Sequence, residues 1–123
     1  MKNFVVSFGT YPFEVEVFVG DAEIFRTHLT EQEVDKEEVE TALHDVEGDE
    51  ALTLEFSGGS YYLWIHSYEN NAHCNSIIAH ECFHLVEMSF DKIGIKHHIK
   101  YSSEAYAYQL GFLFENIVGK LNE

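Results

Sequence analysis

Cysteine and proline are scarce: of 123 residues, two are cysteine and one is proline. If Cys74 and Cys82 lie on one helix, eight residues separate them by about 12 Å along its axis, which is too far for a disulfide. We therefore expect free thiols, as is usual in the cytosol. No apolar run approaches the roughly 18 residues that a membrane helix needs, and the first residues lack the apolar core and cleavage site of a signal peptide. The sequence predicts a soluble, cytoplasmic protein with no membrane partner.

Positive charge is also scarce. Seven lysines and arginines stand against 22 aspartates and glutamates, which gives a net charge of −15 with histidine neutral. Such a chain repels phosphate backbones, so nucleic-acid binding is disfavoured and a basic partner or substrate is favoured. The length and the 46% of hydrophobic residues predict one compact domain over residues 1–123. Nothing in the composition indicates the oligomeric state.

Two hairpins are predicted from alternating apolar segments. The segments Phe4–Phe8 and Phe13–Val19 form the first, and Ala51–Ser57 and Ser60–Ser67 flank Gly58-Gly59, a strong two-residue turn signal. A two-residue turn there pairs Phe56 with Tyr61, Leu54 with Leu63 and Leu52 with Ile65 on one apolar face. The other face then carries Thr53, Glu55, Tyr62, Trp64 and His66 and is expected to be more polar.

Three helices are predicted. Thr30-Glu31-Gln32-Glu33 matches a capping box and opens a helix that ends near Gly48. A second helix of about 18 residues lies between Cys74 and Lys92, and a third runs from Ser103 to Val118. The order β-β-α-β-β-α-α predicts an α+β fold in which helices cover an antiparallel sheet.

One motif points to specific chemistry. His80-Glu81-Cys82-Phe83-His84 has the H-E-x-x-H pattern inside a helical segment. Two histidines four residues apart lie about 40° apart around a helix, so both imidazoles can reach one metal ion. Glu81 lies about 100° from His80 and can take a proton from a metal-activated water without ligating the metal. We therefore predict zinc ligands at His80 and His84 and a general base at Glu81.

A catalytic zinc usually has three protein ligands and one open position, so a third ligand is required. The metzincin spacing fails because Phe90 stands where that pattern has a histidine. His97 and His98 lie in a predicted loop and remain open as alternatives. Glu104 is the best candidate, because it begins the final helix, whose apolar face can pack beside the motif helix, with 19 residues between it and His84.

Four further side chains are candidates for supporting roles. Tyr108 lies one helical turn after Glu104 and can hydrogen-bond its carboxylate. Tyr101, His97 and His98 lie between the two helices, where each can donate to a developing oxyanion.

The sequence resembles the gluzincin metallopeptidases, in which two helices supply His, His and Glu to zinc. The resemblance lies in H-E-C-F-H followed by Ser103-Glu104-Ala105-Tyr106-Ala107-Tyr108. In length the chain is similar to the minigluzincins, and it also looks like short bacteriophage-type proteins with H-E-C-x-H and a later E-x-x-A-Y. The resemblance covers Asn75–Ile117, about a third of the chain. It implies that His80, His84 and Glu104 bind zinc and that Glu81 is the general base.

The resemblance further implies a zincin-like domain, in which an antiparallel sheet packs against the H-E-x-x-H helix and a C-terminal helix. The implied activity is that of a zinc-dependent metallopeptidase or amide hydrolase acting on a peptide or protein, and the acidic surface favours a basic substrate. In such folds the strand before the motif helix, here Tyr61–His66, forms the cleft rim, where an extended peptide can add as a further strand.

Two other functions are compatible with the same sequence. Zinc on these ligands can be structural, with no exchangeable water and little catalysis. Alternatively, the charge of −15 suits an acidic interaction protein or a decoy that mimics nucleic acid. Its binding to a basic partner would then fall steeply with added salt and would not depend on metal.

Overall fold

The computed structural model describes residues 1–123, which form four strands and four helices. In chain order these are β1 (Lys2–Ser7), β2 (Glu14–Val19), α1 (Ala22–Glu31), α2 (Lys36–Val46), β3 (Ala51–Glu55), β4 (Tyr61–Ile65), α3 (Ala72–Lys92) and α4 (Ser103–Leu121). The fold is α+β, as predicted, with α1 added to the expected elements. None of the four helices combines the length and the hydropathy that a membrane crossing requires.

The four strands form one mixed sheet in the spatial order β1-β2-β4-β3. Both hairpins are antiparallel, as predicted, but they meet through β2 and β4, which run parallel. The expectation of a purely antiparallel sheet is therefore wrong. The reason is the return of the chain through α1 and α2 before β3, which lets β4 enter the sheet in the direction of β2.

β4 is a central strand with a neighbour on each side, so the prediction that Tyr61–His66 forms the open cleft rim is wrong. The edge strand on that side is β3. All five residues of β4 are buried, because helices cover both faces of the sheet. Tyr61, Leu63 and Ile65 belong to the core under α3 and α4, whereas Tyr62 and Trp64 belong to the core under α1 and α2.

The second hairpin has a register one residue away from the predicted one. Leu54 pairs with Tyr62 and Thr53 with Leu63, because the loop has three residues rather than two. The amide of Phe56 donates to the carbonyl of Ser60 at 2.9 Å, and both loop glycines have positive φ, 91° at Gly58 and 85° at Gly59. A shift of one residue moves every side chain of a strand to the opposite face relative to its partner strand. Thr53 therefore lies on the same face as Leu63, under α3.

The start of α2 also differs from its prediction. Thr30 does not cap a helix: it lies in the last turn of α1, and its hydroxyl donates to the carbonyl of Arg26 at 2.8 Å. Aspartates cap both helices instead. An Asp21 carboxylate oxygen accepts from the amide of Ile24 at 2.9 Å, and one of Asp35 accepts from the amide of Glu37 at 3.1 Å, because a carboxylate satisfies the free amides of a first turn well.

We predict that α1 is a structural part of the core. Phe25 is fully buried on α1, whereas Ile24 on the same helix is 41% exposed. Phe25→Ala should lower the free energy of unfolding by about 3–5 kcal/mol, because it leaves a cavity between two packed layers. Ile24→Ala, the matched control, should cost less than about 1 kcal/mol. Urea unfolding measures both, and equal losses would contradict this packing.

Candidate metal centre

The two motif histidines lie on the solvent-exposed side of α3. The helix starts at Asn71, whose side-chain oxygen accepts from the amide of Cys74 at 2.8 Å. Its apolar residues Ile78, Cys82 and Leu85 are buried under the helix. Because the apolar positions take the sheet side, the imidazoles of the motif are left facing solvent, with side-chain exposures of 69% for His80 and 42% for His84.

The imidazoles of His80 and His84 are arranged as a pair. Their Nε2 atoms lie 3.1 Å apart and their ring centroids 4.8 Å apart. Two imidazole nitrogens on one tetrahedral zinc ion, each at about 2.05 Å, are about 3.3 Å apart. The other ring nitrogen of His84, Nδ1, lies 3.5 Å from a carboxylate oxygen of Glu87, and such partners orient metal-ligating histidines. The geometry of the pair is therefore close to what one zinc ion requires.

Glu81 is buried, and the edge strand β3 holds its carboxylate. Oε1 accepts two hydrogen bonds of 2.8 Å from Thr53, one from the amide and one from the hydroxyl. The same hydroxyl lies 3.2 Å from the Glu81 carbonyl oxygen. The second carboxylate oxygen, Oε2, lies 3.9 Å from Nε2 of His80. One oxygen of Glu81 is thus anchored to the sheet, while the other is beside the histidine pair.

Together these three residues form the group of side chains that could hold a metal ion. One ligand atom from each of His80, Glu81 and His84 lies within 4.8 Å of the others. Glu104 is outside this group. It is exposed in the first turn of α4, the helix that packs beside α3.

The supporting residues named from the sequence are dispersed. Tyr101 and Tyr108 are 78% and 76% exposed. The ring of His97 packs edge-on against buried Tyr106 with centroids 4.8 Å apart, and His98 stacks on Tyr101 at 4.7 Å. None of the four is in the group formed by His80, Glu81 and His84.

Both cysteines are free thiols, as predicted. Burial raises the pKa of the Cys82 thiol to about 12, and the neighbouring Glu81 carboxylate adds to this effect. Metal binding needs the thiolate, so a thiol that stays protonated at neutral pH is a poor ligand. Cys82 therefore acts as a core residue of α3.

Thr53 is the contact of Glu81 that sequence reasoning missed. With the register of a two-residue turn it lies on the face away from Leu63, whereas in the structure it lies opposite Leu63, on the α3 side. The sequence does contain one indication of this contact, a single threonine between two leucines in β3. The face on which this threonine lies depends on the length of the loop, because the loop sets the register.

No protein-family model, no characterised protein and no solved structure matches this chain. Only the geometry of the site bears on its function. The gluzincin resemblance and the zincin-like form of the fold stay predictions.

We predict that the hydroxyl of Thr53 stabilises the protein through Glu81. Thr53→Val keeps the shape but removes one of the two donors to a buried carboxylate, which should lower the free energy of unfolding by about 1–3 kcal/mol. Thr53→Ser keeps the hydroxyl and should restore most of this loss. The control is Thr41→Val, at an exposed threonine of α2. Urea unfolding of the three variants gives the comparison, and equal stability of the two valine variants would contradict the contact.

Proposed function

We propose that this protein is a zinc-dependent peptidase or amide hydrolase that uses Glu81 as its general base. The observation that supports it most is the position of the histidine pair, 3.1 Å apart at Nε2, next to a buried carboxylate that is anchored through one oxygen only. Two imidazoles and a carboxylate form one of the donor sets that bind catalytic zinc. Burying a carboxylate costs free energy, so a buried glutamate beside two exposed histidines favours a functional role for the three residues.

His80 and His84 are the proposed histidine ligands, and Glu104 is the proposed third ligand. Glu104 is exposed, so its side chain is free to change rotamer when an ion binds. When bound, zinc supplies a Lewis acid for a carbonyl oxygen and lowers the pKa of a water molecule. The exposed histidines leave this side of α3 open to a substrate.

The anchoring of Glu81 suits proton transfer. Oε1 is occupied by Thr53, which leaves Oε2 to take a proton from the attacking water. As the water oxygen bonds to the carbonyl carbon, its proton passes to Oε2. When the carbon–nitrogen bond breaks, Glu81 passes this proton to the leaving amine. The carboxylate is regenerated, and no covalent bond to the protein forms.

We predict that zinc affinity depends on His80, His84 and Glu104. Each change to alanine should weaken zinc binding by more than about 100-fold, since even outer partners of metal ligands typically contribute 10- to 100-fold. The matched controls are His73→Ala, at an exposed histidine on the same helix, and Glu115→Ala, at an exposed glutamate of α4. Competition with a chromophoric chelator measures the dissociation constants.

Two results of that titration would contradict the ligand set. Unchanged affinity in His80→Ala or His84→Ala would remove the metal site itself. Unchanged affinity in Glu104→Ala, with a loss in His97→Ala or His98→Ala, would show that the third ligand comes from the segment between the helices and not from α4.

We predict that Glu81→Gln separates catalysis from metal binding. The amide oxygen of glutamine can still accept from Thr53, so the variant should fold and bind zinc about as tightly. It cannot take the proton, so hydrolysis of a peptide substrate should fall by about 100-fold or more. Asp91→Asn, at an exposed carboxylate two turns after His84 on the same helix, is the control and should keep most of the activity. Loss of zinc would instead make Glu81 a ligand, and unchanged hydrolysis would exclude it as the base.

A further inference from the structure

A cavity of about 590 Å³ opens beside the candidate metal centre. It lies between the start of α1, the turn from α2 to β3, the end of β4 and the first turns of α3. This volume is within the range of sites that bind small molecules or single side chains. None of the functions discussed above uses this cavity.

The floor of the cavity is apolar. It is formed by Val46, Trp64, Ile65 and Ile78, all of which are buried. The indole nitrogen of Trp64 donates to the carbonyl of Gly20 at 3.0 Å, so the tryptophan offers the cavity no free donor. Such a floor suits a hydrocarbon chain.

The rim of the cavity is acidic. Five carboxylates line it, and no lysine or arginine does; they are those of Asp21, Glu23, Glu47, Asp49 and Glu50. Three have partners within the chain: Asp21 caps α1, Glu23 pairs with Arg26 at 3.4 Å, and Glu50 lies 3.0 Å from the ring nitrogen of His73.

Glu47 and Asp49 are different, because their side chains have no hydrogen-bond or ion-pair partner in the structure. They flank Gly48, whose φ is 81°, so two carboxylates without partners lie two residues apart in one turn that lines the apolar cavity. A cation at this turn would be attracted by both.

An anionic occupant is disfavoured, although α1 and α3 both begin at this cavity. In each first turn one free amide is already taken by a side chain of this chain, that of Ile24 by Asp21 and that of Cys74 by Asn71. The five carboxylates of the rim would repel an anion as well.

The cavity adjoins the metal centre. Glu50 and Ile77 line it and also line a smaller depression of about 330 Å³ that contains His80 and Glu81. Ile77 precedes His80 by three residues of α3, which is about 4.5 Å along the helix axis. An extended peptide advances about 3.3 Å per residue, so a chain crossing the metal centre can place a side chain in the cavity within a few residues of the bond at the centre.

We propose that this cavity binds an arginine or lysine side chain of a peptide whose backbone crosses the His80–Glu81–His84 site. The long methylene stem would pack on the apolar floor while its charged end meets Glu47 and Asp49, as basic side chains commonly divide their two parts. This proposal rests on the proposed function and adds to it a substrate class, peptides with a basic residue near the scissile bond.

Binding can be measured without turnover in the Glu81→Gln protein. The probes are three peptides, acetyl-Ala-Xaa-Ala-amide, with Xaa as arginine, citrulline or norleucine. Citrulline has nearly the shape of arginine without its charge, and norleucine tests the floor alone. Trp64 is the only tryptophan and lines the cavity, so its fluorescence reports occupancy. Cys74 also lines the cavity and is half-buried, so protection of its thiol from alkylation is a second readout.

The arginine peptide should bind about tenfold more tightly than the citrulline peptide, as expected for two partly exposed ion pairs. The double variant Glu47→Gln/Asp49→Asn, in the same Glu81→Gln background, should reduce this ratio to about two or less. The matched control is Glu31→Gln/Glu115→Gln, which removes the same charge at two exposed positions outside the cavity and should keep the ratio.

Three results would overturn the proposal. Equal binding of the arginine and citrulline peptides would make the charge irrelevant. An equal loss in the control variant would assign the preference to the overall charge of the protein. The absence of any Trp64 change and of any Cys74 protection would exclude the cavity. None of these three measurements depends on zinc. Peptide binding without hydrolysis by the unsubstituted protein would contradict the proposed function alone. Hydrolysis without a preference for basic peptides would contradict the proposal for this cavity alone.

Discussion

The carboxylate of Glu81 can remain in the interior only because an edge strand brings two donors to it. A buried charge without partners costs several kcal/mol, and here the amide and hydroxyl of Thr53 both bind Oε1 at 2.8 Å. This contact joins α3 to β3. It also leaves Oε2 beside the histidine pair, so one interaction serves both the packing of the helix on the sheet and the geometry of the candidate site.

That contact depends in turn on the three-residue loop between β3 and β4. The positive φ angles of Gly58 and Gly59 allow a loop that shifts the register by one residue, and the shift turns Thr53 towards α3. The central strand β4 contributes to the same result. Helices α1 and α2 pack on one of its faces and α3 and α4 on the other, so both faces are buried.

Charge is distributed unevenly with respect to the candidate site. Much of the excess acid is spread over exposed positions, where it repels other anions. At the turn from α2 to β3, however, Glu47 and Asp49 lie at the mouth of an apolar cavity that adjoins His80. The acidic residues of this cavity suit a positive charge and its apolar floor suits a hydrocarbon stem, and a basic side chain has both parts.

The sequence alone determined the features that depend on local spacing. The helical period of α3, the separation of His80 and His84 by one turn, the two hairpins and the start of α4 at Ser103 all follow from residues close together in the chain. The tertiary structure decided the rest. The parallel pairing of β2 with β4, the position of Thr53 under Glu81 and the cavity beside His80 join segments far apart in sequence, and their arrangement depends on loop geometry and on which faces become buried. Helix α1 was missed for a similar reason: its amphipathic pattern is short, and its burial becomes evident only once Phe25 packs against Trp64.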